Sequence, residues 1–434
     1  MSNPSHSRSS PSWIELWKAF GAIGLLSFGG PAGQIALMHR VIVEERGWLD
    51  EARFLRALNY CMLLPGPEAM QLAAYSGWLL RGVAGGLLAG LLFILPGFFV
   101  LIAFSALYVT LGEVPLVAGL FFGIKAAVLA IVAEALVKVA RRALKQPAAH
   151  AVAFLSFVAI FVFAVPFPLI ILMAALAGAI FFRQDSARAG MPVETIGHAH
   201  VLPTLLLWGG LWALPVAGLV LALGPESLFA REATFFSWTA IITFGGAYAV
   251  LAYVAQVVVS TYHWLSAADM LAGLGLAETT PGPLILVLVF VGFVAAHNAP
   301  GGLDPMLAGV LGAGVTLWVT FVPCFLWIFL GAPYVEGLGA RPRLSAALSG
   351  VTAAVVGVIA NLALWFAVHV LFAEVGEGSG LIAVPLPLPQ SLDVPALAIA
   401  ALSFVLVFAL RAPVLAVIGA GAVLGAFAKL SGLA

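Results

Sequence analysis

Charge is scarce in this chain. Of 434 residues, 9% are charged and 63% hydrophobic, with a mean hydropathy of +1.13. A soluble domain carries about 25% charged residues, so this composition leaves too little polar surface to cover a water-soluble body, and the apolar residues must face lipid as well as each other. Cysteine is nearly absent. Cys61 and Cys324 both lie in apolar stretches, which excludes a disulfide scaffold or a cysteine metal site and leaves two small packing residues. Net charge is zero, with Lys plus Arg at 19 and Asp plus Glu at 19. No basic stripe with interleaved aromatics exists to bind nucleic acid. A His-x-x-x-His pair and a Gly-x-Ser-x-Gly motif are both missing, and His39, His263, His297 and His369 are scattered, mostly near span ends. That argues against the main alternative, a membrane-embedded enzyme acting on a lipid-linked substrate. The polar first dozen residues lack the apolar core of a signal peptide and read as a cytoplasmic tail.

Long apolar runs fill the rest. A membrane helix needs about 20 mostly apolar residues. Candidate spans are 13–38, 54–80, 82–108, 114–140, 149–164, 166–182, 203–222, 233–258, 269–297, 303–331, 343–372, 393–409 and 411–430. The pairs within 149–182 and 393–430 read either as two tight crossings or as one kinked helix each. With the N-terminus in the cytoplasm, twelve of the 19 Lys and Arg residues fall inside, six outside, and Lys125 within a span. This favours an N-in, C-out topology.

The chain repeats itself at a fixed offset. Leu26-Ser27-Phe28-Gly29-Gly30 recurs as Ile242-Thr243-Phe244-Gly245-Gly246, shifted by 216 residues. Trp48-Leu49 recurs as Trp264-Leu265, and Pro65-Gly66-Pro67 as Pro281-Gly282-Pro283, at the same shift. Further along the shift becomes 227, pairing Gly123-Ile124-Lys125-Ala126-Ala127-Val128 with Gly350-Val351-Thr352-Ala353-Ala354-Val355. The expected organisation is a tail (1–12), a first transmembrane repeat (13–182), a linker (183–232) with one connecting helix at 203–222, and a second repeat (233–430). Six spans plus one is odd, so the second half enters the membrane from the opposite side. The fold class is therefore an all-α integral membrane protein of about 13 transmembrane helices in two inverted-topology repeats, as in many secondary transporters.

Both recurring motifs break helices, since proline removes a donor and glycine weakens the interior. All four breaks fall near the middles of their spans. Unpaired backbone groups in lipid cost several kcal/mol each, so the breaks should converge inside the bundle. A restarted helix offers free N–H groups and a partial positive end, with Pro31, Pro67 and Pro283 at plausible first-turn positions. Several such ends around one cavity make an anion site. A simple packing kink is the plainer reading for any single break.

Lys125 stands near the centre of 114–140 without a charged neighbour one turn away. An intramembrane charge is a functional candidate by default, and Lys125 suits an anion, or a structural pair with Glu68 or Glu278. Glu68 follows Pro67 at a helix restart, where an acid also neutralises the dipole. Glu278 sits at the C-terminal end of a half helix, where the dipole disfavours it, which points to proton or cation coupling. Ser27, Thr243, Thr279 and Thr280 flank the breaks and offer hydroxyls to an oxyanion or to freed carbonyls. Gln34 and Gln71 lie one turn past the breaks. Gly82, Gly86 and Gly90 read as a close helix contact. The run Lys138-x-x-Arg141-Arg142-x-x-Lys145 reads as a topology signal and headgroup contact, or as an anion-gathering funnel.

Phe-Gly-Gly-Pro-x-Gly at 28–33, Trp48-Leu49, Leu64-Pro65-Gly66-Pro67, Phe244-Gly245-Gly246 and Thr280-Pro281-Gly282-Pro283 together resemble the chromate ion transporter family, in its long, two-domain branch. The resemblance covers nearly the whole chain. It implies secondary transport that exports chromate across a bacterial inner membrane, conferring resistance, with duplicated halves of opposite orientation. Chromate and sulfate are both tetrahedral dianions, and the motifs do not separate them. The expected site is a midplane chamber formed by Gly29, Gly30, Pro67, Gly245, Gly246 and Pro283. Lys125 supplies charge there, Ser27, Thr243, Thr279 and Thr280 supply hydroxyls, and Glu68 and Glu278 couple or gate. The expected partners are a small inorganic anion and the bilayer, with a homodimer left open. No cofactor, metal, nucleic acid or enzymatic activity is expected.

Overall fold

In the computed structural model, residues 11–28, 30–182, 201–244, 246–332, 342–376, 384 and 386–433 are described. Gly29 and Gly245 lie outside them, as do most of the N-terminal tail and the linker over 183–200.

The described chain is almost entirely helical. The first half contains α1 (Trp13–Leu26), α2 (Gly30–His39), α3 (Glu51–Cys61), α4 (Glu68–Leu111), α5 (Pro115–Ala143), α6 (Pro147–Phe163) and α7 (Phe167–Phe181). Then α8 (Val201–Leu223) leads into α9 (Leu228–Ile242), α10 (Ala247–Gln256), α11 (Ala267–Thr279), α12 (Val287–Asn298) and α13 (Pro305–Gly331). The chain closes with α14 (Pro342–Leu371), α15 (Val394–Phe404) and α16 (Val414–Leu430). A two-stranded hairpin, Val375–Gly376 with Leu386–Pro387, follows α14. Helix starts follow local chemistry. Ser12 and Glu15 form a capping box on α1, and Ser266 and Asp269 form one on α11. Asp50, Asp304 and Asp393 cap α3, α13 and α15. Each side-chain oxygen takes up an otherwise orphaned first-turn N–H.

Five helices, namely α4, α5, α8, α13 and α14, are long and apolar enough to cross a membrane by themselves. Large apolar side chains stay exposed on the outer faces, for example Leu214 and Leu221 on α8, where Trp208 alone is buried. In water such a surface would drive aggregation; in a bilayer it is solvated. The chain is thus an all-α integral membrane protein.

The broken spans separate as the breakers dictate: α1 from α2 at Ser27-Phe28, α3 from α4 before Glu68, α9 from α10 at Thr243-Phe244, and α11 from α12 at Thr280–Pro283. Pro31 is in the first turn of α2, whereas Pro67 and Pro283 are N-caps, one residue ahead of the first turn. The stretches 149–182 and 393–430 each hold two helices, and the left-handed residues Ala164 and Arg411 sit between them. Inside α4 the backbone leaves helical geometry at Arg81 and Gly82, dividing it where the sequence separates 54–80 from 82–108. Gly82 is therefore a turn residue at φ 62°, with nothing near the place a Cβ would occupy, and not part of a helix contact. Gly86 and Gly90 are contact residues, facing the rings of Phe329 and Phe325.

The two halves interlock. On α5, a Cβ at Gly123 would collide with the Gly421 carbonyl oxygen of α16. On α14, Gly350, the partner of Gly123 at the 227-residue offset, meets Ala174 and Gly178 of α7 in the same way. Each half thus lends its last helix to the other. Without a hydrophobic force between helices in lipid, such backbone-to-backbone approach is what holds them.

Candidate functional site

The four breaks meet. The N–H of Gly66, in the first Pro-Gly-Pro, donates to the carbonyl of Thr243 at 2.8 Å. The N–H of Gly282, in the second, donates to the carbonyl of Ser27 at 2.9 Å. Donors and acceptors are related by the same 216-residue offset, so each broken helix is completed by the opposite half. This resolves carbonyls that the breaks would otherwise leave unpaired in the bilayer interior. Gln34 adds a clamp: its Nε2 donates to the Gly282 carbonyl at 2.6 Å and to that of Ser27 at 3.3 Å. Gln71 Nε2 donates to the Pro65 carbonyl at 2.7 Å.

Beside this junction lies a chamber of about 130 Å³. That is well above the about 10–15 Å³ a single water requires, and it is room for a small ion with part of its hydration shell. Three helix starts open onto it: Gly30, Pro31 and Ala32 of α2, Glu68 of α4, and Gly246, Ala247 and Tyr248 of α10. Their free N–H groups and dipoles make the wall attractive to an anion. From α5 come Glu134, Lys138 and Arg142, and from α11 comes Glu278. Lys138 Nζ pairs with Glu134 Oε1 at 2.7 Å, and the Lys138 side chain is 61% exposed, which places the pair at an open mouth. The Tyr248 hydroxyl donates to Glu278 Oε1, fixing a carboxyl that is otherwise buried. A Cβ on Gly246 would stand 4.0 Å from Glu68 Oε1, so the acid of one restarted helix faces the N-terminus of another.

Among the residues singled out from sequence, Gly30, Gly246, Glu68 and Glu278 line this chamber. Pro67 and Pro283 cap the helices behind it without lining it. The four hydroxyls are directed elsewhere. Ser27 donates to Ile23, Thr243 to Thr239, and both Thr279 and Thr280 to Leu276, so each satisfies a carbonyl one turn back. Lys125 does not line the chamber; its charged neighbours are Asp269 and Lys429. The cationic groups at the chamber are Lys138 and Arg142, which the sequence offers chiefly as a topology signal.

Sequence reasoning passed over two further features. Tyr248, two residues past Gly246, orients Glu278, and its nearness to the recurring Phe-Gly-Gly was the available signal. Glu232 on α9 is fully buried, and neither of its carboxylate oxygens has a hydrogen-bond partner. Thr316 on α13 is likewise buried with an unpartnered hydroxyl. A Cβ on Gly312 would stand 3.1 Å from Glu232 Oε2, and one on Gly292, which packs against Gly312, would collide with the Thr316 hydroxyl.

A family model described as chromate transporter matches residues 14–179 and 231–426. The chain is 32% identical over 351 residues to a chromate transport protein of Pseudomonas aeruginosa, covering 80% of this chain and 79% of that one. It is 30% identical over 345 residues to one of Cupriavidus metallidurans, covering 78% and 79% respectively. An uncharacterized transporter of Methanocaldococcus jannaschii is 24% identical over 369 residues, 84% of this chain and 86% of that one. No solved structure matches. The chain belongs to the chromate transporter family and is a multi-pass membrane transporter of an inorganic anion, not an enzyme.

Proposed function

We propose that the protein exports chromate, or a related tetrahedral oxyanion such as sulfate, across a bacterial inner membrane by alternating access, and so confers chromate resistance. The observation that carries this reading is the chamber itself, where three helix N-termini converge with Lys138 and Arg142. Two inverted halves account for the reciprocal bonds of Gly66 with Thr243 and Gly282 with Ser27. With Tyr108 donating to Asp269 and Ser260 sharing a cavity with Val375, the broken pairs α9–α10 and α11–α12 turn back at their breaks, so the crossings are fewer than the 13 apolar runs. The N-in topology puts the Lys138 and Arg142 mouth on the cytoplasmic side, where cations gather a dianion for export. Expelling negative charge from a cell that is negative inside is downhill by about 2.3 kcal/mol per charge per 100 mV.

Glu68 and Glu278 share the chamber with the anion and repel it when ionised. A proton taken up by either favours the loaded state, which makes these two carboxyls the coupling or gating groups. Gly29 and Gly245 belong to the same two breaks. Pro67 and Pro283 set the helix starts, and Ser27, Thr243, Thr279 and Thr280 hold the breaks open by satisfying carbonyls. Lys125 contributes through its field along α5 and not by contact.

The test is flux of radiolabelled chromate and sulfate into everted vesicles, with and without a proton gradient. Saturable, protein-dependent chromate uptake is expected, competed by sulfate if the site reads shape and charge alone. Uptake equal to that of vesicles lacking the protein would contradict the reading.

A further inference from the structure

A second cavity, of about 520 Å³, lies apart from the chamber, between α6, the end of α10 and α14. Its polar wall carries Gln256, Ser260 and His263 on one side and Asn361, Trp365 and His369 on the other. The last three are one stripe of α14, spaced four residues apart. At the 227-residue offset they are the partners of Glu134, Lys138 and Arg142, the stripe of α5 that lines the anion chamber. The same face of the same helix therefore borders a polar cavity in each half. The chemistry has diverged: a carboxylate and two permanent cations on α5 stand where α14 has an amide, an indole and an imidazole.

The ends of the two helices differ as well. The chamber opens where α5 ends, next to Arg142. The second cavity lies where α14 ends, with Val375 and Gly376 of the following hairpin in its wall. The segment 373–392 carries no Lys or Arg, as a non-cytoplasmic connection should not. A cavity of this size with six polar side chains in a bilayer-spanning protein holds water, because dry polar groups there go unpaired at several kcal/mol each.

We infer that this second cavity is the aqueous vestibule on the membrane face opposite the Lys138–Arg142 mouth, the route by which the anion leaves. The inference rests on the transport reading and deepens it. Its chemistry fits release: amide, hydroxyl and indole groups solvate a departing dianion without the fixed charge that would retain it.

The test is sidedness of thiol labelling. Single substitutions Ser260→Cys, Asn361→Cys and Lys138→Cys are treated with a membrane-impermeant charged thiol reagent, in right-side-out and in everted vesicles. The native Cys61 and Cys324 are buried, and the unsubstituted protein sets the background. Thermal unfolding of each variant establishes that it is folded. Ser260→Cys and Asn361→Cys are expected to label only from the periplasmic face, and Lys138→Cys only from the cytoplasmic face. If all three label from one face, or if the first two label from neither while folded, the inference is overturned. Chromate flux by the unsubstituted protein separates the two ideas. Opposite sidedness without flux sinks the substrate assignment and keeps the vestibule; flux without opposite sidedness does the reverse.

Discussion

Gly66 donates its backbone N–H to the carbonyl of Thr243 across 2.8 Å, tying the Pro-Gly-Pro of one half to the broken helix of the other. Gly66 adopts φ 121° and Gly282, its counterpart, φ 101°. A Cβ at Gly66 would also stand 2.8 Å from Cys324 Sγ and from Gln71 Nε2. Gly66→Ala and Gly282→Ala are each expected to lose about 1–3 kcal/mol from the backbone alone, with Gly66→Ala the worse. Thermal unfolding in detergent measures this. Unchanged midpoints would show that the junction does not hold the fold.

The interlock between halves predicts a sharp contrast on two helices. Gly123→Ala should disrupt the α5–α16 seam, because the added methyl meets the Gly421 carbonyl. Gly419→Ala, on α16, meets nothing within 4 Å and should be tolerated. Expression and unfolding midpoints of the pair provide the comparison, and equal behaviour would contradict the packing described.

Glu232 is the buried group whose presence the packing least explains. At the 216-residue offset its counterpart is Leu16, itself fully buried. Replacing an unpartnered buried polar group by an apolar one removes a desolvation penalty of about 1–3 kcal/mol. Glu232→Leu is therefore expected to raise the unfolding midpoint. A lowered midpoint would mean that the carboxyl has a partner in the membrane.

His39 lies in the connection between the first two spans, with Nε2 2.6 Å from Glu51 Oε2 and Nδ1 3.1 Å from Glu44 Oε1. The hydrogen bond to Glu51, above all, raises the imidazole above its ordinary value. A raised folded value stabilises the fold fully below the unfolded pKa, and that stabilisation is lost as pH rises through the folded one. Glu51→Gln should move the His39 titration down towards about 6.5, as followed by NMR. An unmoved titration would show the pair to be absent in solution.

Much of this fold is legible in one dimension because its breakers and its repeat are covalent facts. The separations at Ser27, Thr243, Pro67 and Pro283 follow from glycine and proline chemistry, and the turn at Arg81–Gly82 falls between two apolar runs. The cationic lining is harder to read. Lys125 stands out because it is isolated in an apolar span, but isolation along the chain does not locate a cavity in space. Lys138 and Arg142 look like a membrane-edge signal, yet the α2 and α10 starts reach that end of α5 and make it a mouth. Hydroxyl roles are equally invisible in sequence. Ser27 and Thr243 look like anion donors until each hydroxyl is seen to donate to a carbonyl of its own helix one turn back.

The most direct test of the chamber is equilibrium binding of radiolabelled chromate to purified protein, comparing Arg142→Gln and Lys138→Gln with Lys125→Gln. The account predicts saturable binding that falls by about tenfold or more, some 1.4 kcal/mol, for the first two variants and much less for Lys125→Gln. Binding abolished by Lys125→Gln but untouched by the two mouth substitutions would contradict it.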